Sequence, residues 1–253
     1  MTWQAPLADE AGRHGSFTVP AHFTSGQTIG IVTVDLDYPK LPGNVANATT
    51  FNYPVRYEKV EFEIERLFAG DPSIEGLVID AAKKLEREGV RAIVGACGFF
   101  AHFQDSVAAA VDVPVFMSSL VQAPLIEVGL KPGQKIAVLA ADGASVTPEL
   151  LAHVNARPDR LIVRDIGSLE SFAPIRWGKT TLDNGALIAD LQQVATSLVA
   201  EHPEIGAFLL ECSDLPPYAA DIQAATGLPV FDFITLIDWV HKSVAQRPYY
   251  GWF

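Results

Sequence analysis

The chain contains two cysteines, and they stand in matching places. Cys97 ends the run Ala92-Ile-Val-Gly-Ala-Cys97, and Cys212 ends Ala207-Phe-Leu-Leu-Glu-Cys212. Seventeen positions separate Cys97 from Pro114, and the same interval separates Cys212 from Pro229. Those prolines sit in the near-identical Val113-Pro-Val-Phe116 and Leu228-Pro-Val-Phe231. After Cys97, the residues Phe99, Phe100, Phe103, Val107 and Ala110 recur at helical spacing, so the thiol stands at a strand-to-helix junction. The positive end of a helix favours the thiolate, the form that acts as base or nucleophile. One such cysteine reads as a core residue. Two at equivalent strand ends read as opposite walls of one cleft, because parallel strands point their C-terminal ends to the same crevice. Opposed thiols suit a carbon next to a carboxylate: one takes its proton, the other delivers a proton to the opposite face. The carboxylate then needs donors, since its charge grows as the carbon loses its proton.

The elements that must position these thiols are also duplicated. Ile29-Gly-Ile-Val-Thr-Val-Asp35 matches Ile136-Ala-Val-Leu-Ala-Ala-Asp142. Strands are expected at 28–34, 92–96, 113–116, 135–141, 161–166, 207–211 and 228–233. Helices are expected at 74–88, after Cys97, and at 120–128, 147–154, 186–200, 217–226 and 234–245. The alternation predicts an α/β fold of two similar lobes, each a parallel sheet flanked by helices, related by a pseudo-twofold. The lobes are expected over 27–130 and 131–230, with 231–253 packing back onto the first and Lys131-Pro-Gly133 as the crossing. Residues 1–26 read as an N-terminal arm. Residues 35–57, rich in Pro, Gly and Asn, read as a long loop following a strand end, placed to cover the cleft.

Composition narrows the function classes. A formal net charge of −12 with no basic patch excludes a nucleic-acid partner. With 49% hydrophobic and 19% charged residues, there is ample material for a core. No apolar stretch reaches the ~18 residues of a membrane span. The start lacks a basic segment followed by an apolar one, and cysteines on separate repeats do not make a disulfide framework, so a cytoplasmic protein with reduced thiols is expected. No metal is expected: zinc takes three or four ligands, and neither His-x-x-x-His nor Cys-x-x-Cys spacing occurs. Trp177-Gly-Lys-Thr180 hints at a phosphate loop, but Ala173 stands where that pattern requires glycine. The expected partner is a small carboxylate-bearing substrate, and self-association is left open.

From about residue 28 to 245 the chain resembles the aspartate/glutamate racemase superfamily. The likeness rests on Gly95-Ala-Cys-Gly-Phe99, on Glu211-Cys-Ser-Asp-Leu-Pro-Pro217 and on the paired-lobe repeat. It implies a cofactor-independent racemase or epimerase that inverts the carbon next to the carboxylate of a small amino acid or derivative. Cys97 and Cys212 would be its acid/base pair. The superfamily also holds hydantoin racemases, maleate isomerases and arylmalonate decarboxylases. The alternatives are therefore an isomerase or decarboxylase of a small diacid, or a binding protein without catalysis. Where amino-acid racemases commonly carry Cys-Asn-Thr, this chain has Gly98 and Phe99. Where they carry Cys-Thr followed by His or Glu, it has Ser213 and Asp214. Ser213 keeps a hydroxyl for a carboxylate, and Asp214 keeps an acid that would orient an amino group. Asp35 resembles the family's first-strand acid, and a strand-ending Asp also serves as a turn or cap. Asn47 in the long loop either donates to a carboxylate or ties the loop to itself. Ser118 marks a polar side of the cleft or an N-cap. The candidate binding residues are thus Asp35, Asn47, Gly98, Phe99, Ser118, Ser213 and Asp214.

Overall fold

Short apolar strands open each half of the chain and are largely buried on both faces, as parallel strands beneath helices must be. In the computed structural model, which describes residues 21–249 with Gly251 and Trp252, the first half runs β1 (Ile29–Val34), β2 (Val55–Val60), α1 (Ile64–Phe68), α2 (Glu75–Arg87) and β3 (Ala92–Gly95). It continues with α3 (Gln104–Ala110), β4 (Val115–Phe116) and α4 (Ala123–Gly129). The second half runs β5 (Lys135–Ala140), α5 (Pro148–Ala152), β6 (Leu161–Asp165), α6 (Ala173–Arg176) and α7 (Asn184–Glu201). It ends with β7 (Ile205–Leu210), α8 (Ala219–Thr226), β8 (Val230–Phe231) and α9 (Phe233–Val244). The strands form two parallel sheets in the same order, β2-β1-β3-β4 and β6-β5-β7-β8. The result is a two-lobed α/β fold with helices on the sheet faces.

Local signals explain the helices that cover the first sheet. Asp71 accepts from the Ser73 N–H ahead of α2 at 2.8 Å, and Gly89, at φ +91°, stops the helix. Between them Val78, Ala81, Ala82 and Leu85 fall on one helix face and are buried. A capping box of Asp232 and Thr235 starts α9. Its buried face (Phe233, Leu236, Ile237 and Val240) packs on Ile29, Ile31, Ala92 and Val94 of the first sheet, so the chain's last helix returns to its first lobe.

Two sequence expectations change. The loop expected over 35–57 ends early, because Val55 to Val60 pair with β1 as an edge strand. Its charged residues hid it: Glu58 pairs with Lys84 and Arg56 with Glu88, tying the edge to α2. The short α1 and α6, which follow the second strand of each lobe, were not expected at all. The arm expected over 1–26 lies outside the described residues as far as residue 20. Among the described residues no helix is long and apolar enough to cross a membrane.

Candidate active site

The two cysteines occupy equivalent points of the two sheets, each two residues beyond its strand, after β3 and after β7. The residues just before them are held alike: the Ala96 N–H donates to Val32 on β1 at 2.8 Å, and the Glu211 N–H to Leu139 on β5 at 3.0 Å. The two motifs then brace each other across the lobes. Ser213, just after Cys212, donates its hydroxyl to the carbonyl of Ala96, just before Cys97, at 2.9 Å. Conversely, the carboxyl of Glu211, just before Cys212, packs on Gly98, just after Cys97. A Cβ at position 98 would fall inside that carboxyl, which is why glycine stands there.

This bracing brings Cys97 and Cys212, both free thiols, to one cavity of about 50 Å³. Only 9% of Cys97 and 6% of Cys212 is exposed. The walls come from strand ends and from the two unexpected short helices. Tyr38 follows β1, Phe68 belongs to α1, and Phe172 and Arg176 belong to the α6 segment. Ser213 and Asp214 complete the lining beside the second cysteine. Arg176 is the one cation of this lining; it pairs with Glu65 at 3.1 Å and lies over the Phe68 ring at 4.6 Å.

Asp214 is the hub of hydrogen bonding. It accepts from the Tyr38 hydroxyl, from the Asn44 amide and, at 3.4 Å, from the Cys212 thiol. Burial is the larger influence and lifts its pKa above the ordinary carboxylate value despite those donors. The loop between β1 and β2 supplies Tyr38 and Asn44, and its Val45 N–H donates to the Ser213 carbonyl at 3.3 Å. The loop thus lies across the second cysteine motif.

Burial raises both thiols well above their ordinary value. For Cys97 the neighbouring Glu211 adds to the rise, while the Phe99 N–H and the Arg176 charge oppose it. For Cys212 the next causes are the charges of Asp214, Glu211 and Cys97, all of which raise it. Each thiol has one backbone N–H to support its thiolate, Phe99 for Cys97 and Asp214 for Cys212, and Cys97 has the Arg176 charge besides. Cys212 is the thiol held protonated against a carboxylate.

The structure gathers Cys97, Cys212, Ser213 and Asp214 at the cavity but not the remaining candidates. Asp35 faces a separate depression and pairs with Lys59 at 3.0 Å, because β2 lies beside it. Asn47 ties the loop to itself, accepting from the Thr49 N–H and donating to the Lys40 carbonyl, both at 2.9 Å. Ser118 caps the short helical turn Ser119–Gln122, accepting from the Leu120 N–H at 3.1 Å. Phe99 is fully buried against Phe68, and Gly98 serves Glu211 instead of lining the cavity. Sequence reasoning missed Tyr38, Asn44, Arg176 and any role for Glu211. Tyr38 and Asn44 lay inside a recognised loop, but their partner Asp214 is more than a hundred residues away.

Comparison with known proteins adds the family. A dimethylsulfoniopropionate lyase of Durusdinium sp. clade D is 34% identical over 233 residues, covering 88% of this chain and 77% of that protein. Dimethylsulfoniopropionate lyase 3 of Emiliania huxleyi is 33% identical over 236 residues, covering 88% of this chain but only 61% of that longer protein. Unliganded arylmalonate decarboxylase shares the fold at a TM-score of 0.56 and 18% identity, over 89% of this chain and 97% of the other. An aspartate racemase homologue of Pyrococcus horikoshii does so at 0.55 and 17%, over 87% and 100%. Residues 52–237 match the Asp/Glu/Hydantoin racemase family, a span that takes in both cysteines and most of both sheets. The chain belongs to that family.

Proposed function

We propose that this protein is a lyase acting on dimethylsulfoniopropionate, with Cys97 as the base. The observation that carries the reading is the likeness, over 88% of the chain, to proteins named for that activity. The cavity's chemistry agrees with it. The substrate carries a carboxylate at one end and a sulfonium cation at the other, separated by two carbons. Arg176 offers a cation for the carboxylate, and Asp214 offers an anion for the sulfonium. In that orientation the carbon beside the carboxylate lies on the Arg176 side, where Cys97 feels the guanidinium. The Cys97 thiolate takes a proton from this carbon. The C–H electron pair becomes the new C=C bond, and the C–S pair leaves with sulfur as neutral dimethyl sulfide. Acrylate remains, and Cys97 holds the proton. Cys212 stays protonated on Asp214 and fills the opposite wall.

The test is direct. Purified protein is given dimethylsulfoniopropionate, with dimethyl sulfide followed by gas chromatography and acrylate by NMR. Equimolar formation of both supports the lyase; a folded protein that releases neither defeats it. A second reading, a racemase in which Cys97 and Cys212 invert a carbon next to a carboxylate, is favoured by the equivalent placement of the two thiols. Enantiomeric amino acids and hydantoins in deuterated water decide it: deuterium in the opposite enantiomer, with no dimethyl sulfide from the other substrate, moves the racemase ahead. A protein that binds these compounds, shown by a rise in melting temperature, without either reaction is a binder only.

A further inference from the structure

Of the cavity's surroundings, one ionisable group has no part in the reaction proposed above. Glu211 is fully buried and does not line the cavity. It stands where the first repeat has Ala96, so the duplicated architecture carries an acid on one side alone. Its Oε2 accepts from the Ala141 N–H at 3.0 Å, within its own lobe. Its Oε1 reaches across the lobe boundary, lies against Gly98 and has no well-formed hydrogen bond. A carboxylate left in this position would be a buried charge with only neutral backbone N–H groups, those of Ala141 and Gly98, to support it, which is costly; a carboxylic acid is far less so.

We propose that Glu211 is a positioning residue that acts through the cysteines: kept as a neutral acid on the seam between the lobes, it permits a thiolate in the cavity, and when ionised it suppresses one. The inference rests on the thiolate-base reading of the site. Two motifs that touch at Gly98 and Ser213 leave the acid within electrostatic reach of both thiols, and its charge raises both of them. Burial pushes Glu211 itself up to about 8, with Asp214 and Asp142 adding to the rise and the Ala141 and Gly98 N–H groups opposing it. The groups that face it are thus Cys97 beyond β3, Cys212 and Asp214 beyond β7, and Asp142 beyond β5; Arg176 on α6 acts on Cys97. With Arg176 acting on Cys97 and Lys40 on Asp214, the acids still outnumber the cations, and a first negative charge makes the next one harder to form. Whether that first charge sits on a thiol or on Glu211 decides whether the site has a base.

The experiment needs no substrate, so its outcome is independent of which reaction the protein catalyses. Wild type and the variants E211Q and E211A are alkylated with iodoacetamide across a pH series. Cys97 and Cys212 are quantified separately by peptide mass spectrometry, and circular dichroism reports folding. E211Q keeps the shape and removes the charge; the alkylation midpoint of Cys97 is expected to fall by about 1 pH unit or more. E211A should shift it in the same direction, because both variants delete the charge. Unchanged midpoints in folded E211Q overturn the proposal, as does a shift in E211A alone, which would report loosened packing. If neither variant folds, infrared spectroscopy of the wild type decides. A protonated-carboxyl band that persists at neutral pH and is lost as pH passes about 8 supports the proposal; its absence at neutral pH overturns it. Should dimethylsulfoniopropionate prove not to be a substrate while the midpoints still shift, the lyase reading fails and the coupling stands.

Discussion

Replacing Tyr38 with phenylalanine isolates the clasp that holds the loop over the cavity. The substitution keeps the ring in the lining and removes the hydroxyl that donates to Asp214. Asp214 retains the Asn44 amide and the Cys212 thiol, and the loop retains its Val45 bond to Ser213. A hydrogen bond to a charged group contributes about 1.5–3 kcal/mol. At about 1.4 kcal/mol per decade, its loss shifts the closed-to-open ratio of the loop by roughly 10- to 150-fold. Hydrogen–deuterium exchange of the segment 36–54 reads this directly, with the Val45 amide as the most informative site. The Michaelis constant for dimethylsulfoniopropionate should rise in parallel. Tyr57→Phe is the control: it removes a hydroxyl that donates to the Val45 carbonyl at 2.9 Å, away from any charge. A neutral bond contributes about 1 kcal/mol, so its effect should be roughly fivefold. Unchanged protection in a folded Tyr38→Phe protein, or a Tyr57→Phe effect of equal size, would refute the clasp.

Four further outcomes are expected. Cys97→Ser should lower turnover by about 10²- to 10⁴-fold, the usual worth of a positioned base, while Cys212→Ser retains measurable dimethyl sulfide release; the reverse ranking would exchange their roles. Because both thiols are raised and the ionised form reacts, the rate should climb from neutral into alkaline pH, and Asp214→Asn should move the climb to lower pH; a flat profile contradicts this. Glu211 in the native state keeps its proton to about 8, whereas the unfolded chain releases it near the ordinary carboxylate value of about 4.3. The wild type should therefore lose melting temperature relative to E211Q as pH rises through that window, and a gap independent of pH would argue against a protonated Glu211. Finally, Gly98→Ala should cost about 1–3 kcal/mol by overpacking against the Glu211 carboxyl, and the double variant G98A/E211A should recover most of it in chemical denaturation; no recovery would place the strain elsewhere.

What could be read from the sequence was what the chain repeats. The strands before each cysteine are continuous apolar runs, and their duplication revealed the two parallel-sheet lobes and the equivalent placement of the thiols. What escaped was local and unrepeated. β2 alternates charged residues along a sheet edge, so it looked like loop; its signal was the alternation of Val55 and Tyr57 with Arg56 and Glu58. Arg176 sits in a helix of one turn, too short for any periodicity. The Asp214 hub joins residues that only the fold brings together, and no spacing rule connects Tyr38 or Asn44 to it. Asp35 and Asn47 carry the right chemistry in the wrong direction: a neighbouring strand claims the one and the loop's own backbone the other.

An acid at the seam with no counterpart in the other repeat has a consequence for what one polypeptide can do that two cannot. A dimer of identical half-chains, each with one sheet and one cysteine, would place either two carboxyls or none about its axis. Joining the halves lifts that constraint, and here one side carries Glu211 where the other carries Ala96. The two walls cease to be interchangeable, so a bound molecule meets a different environment on each of its faces. A reaction that must run equally from either face gains nothing from such bias. An elimination draws its proton from one face only, and for it an unequal pair of walls selects a single productive way for the substrate to lie.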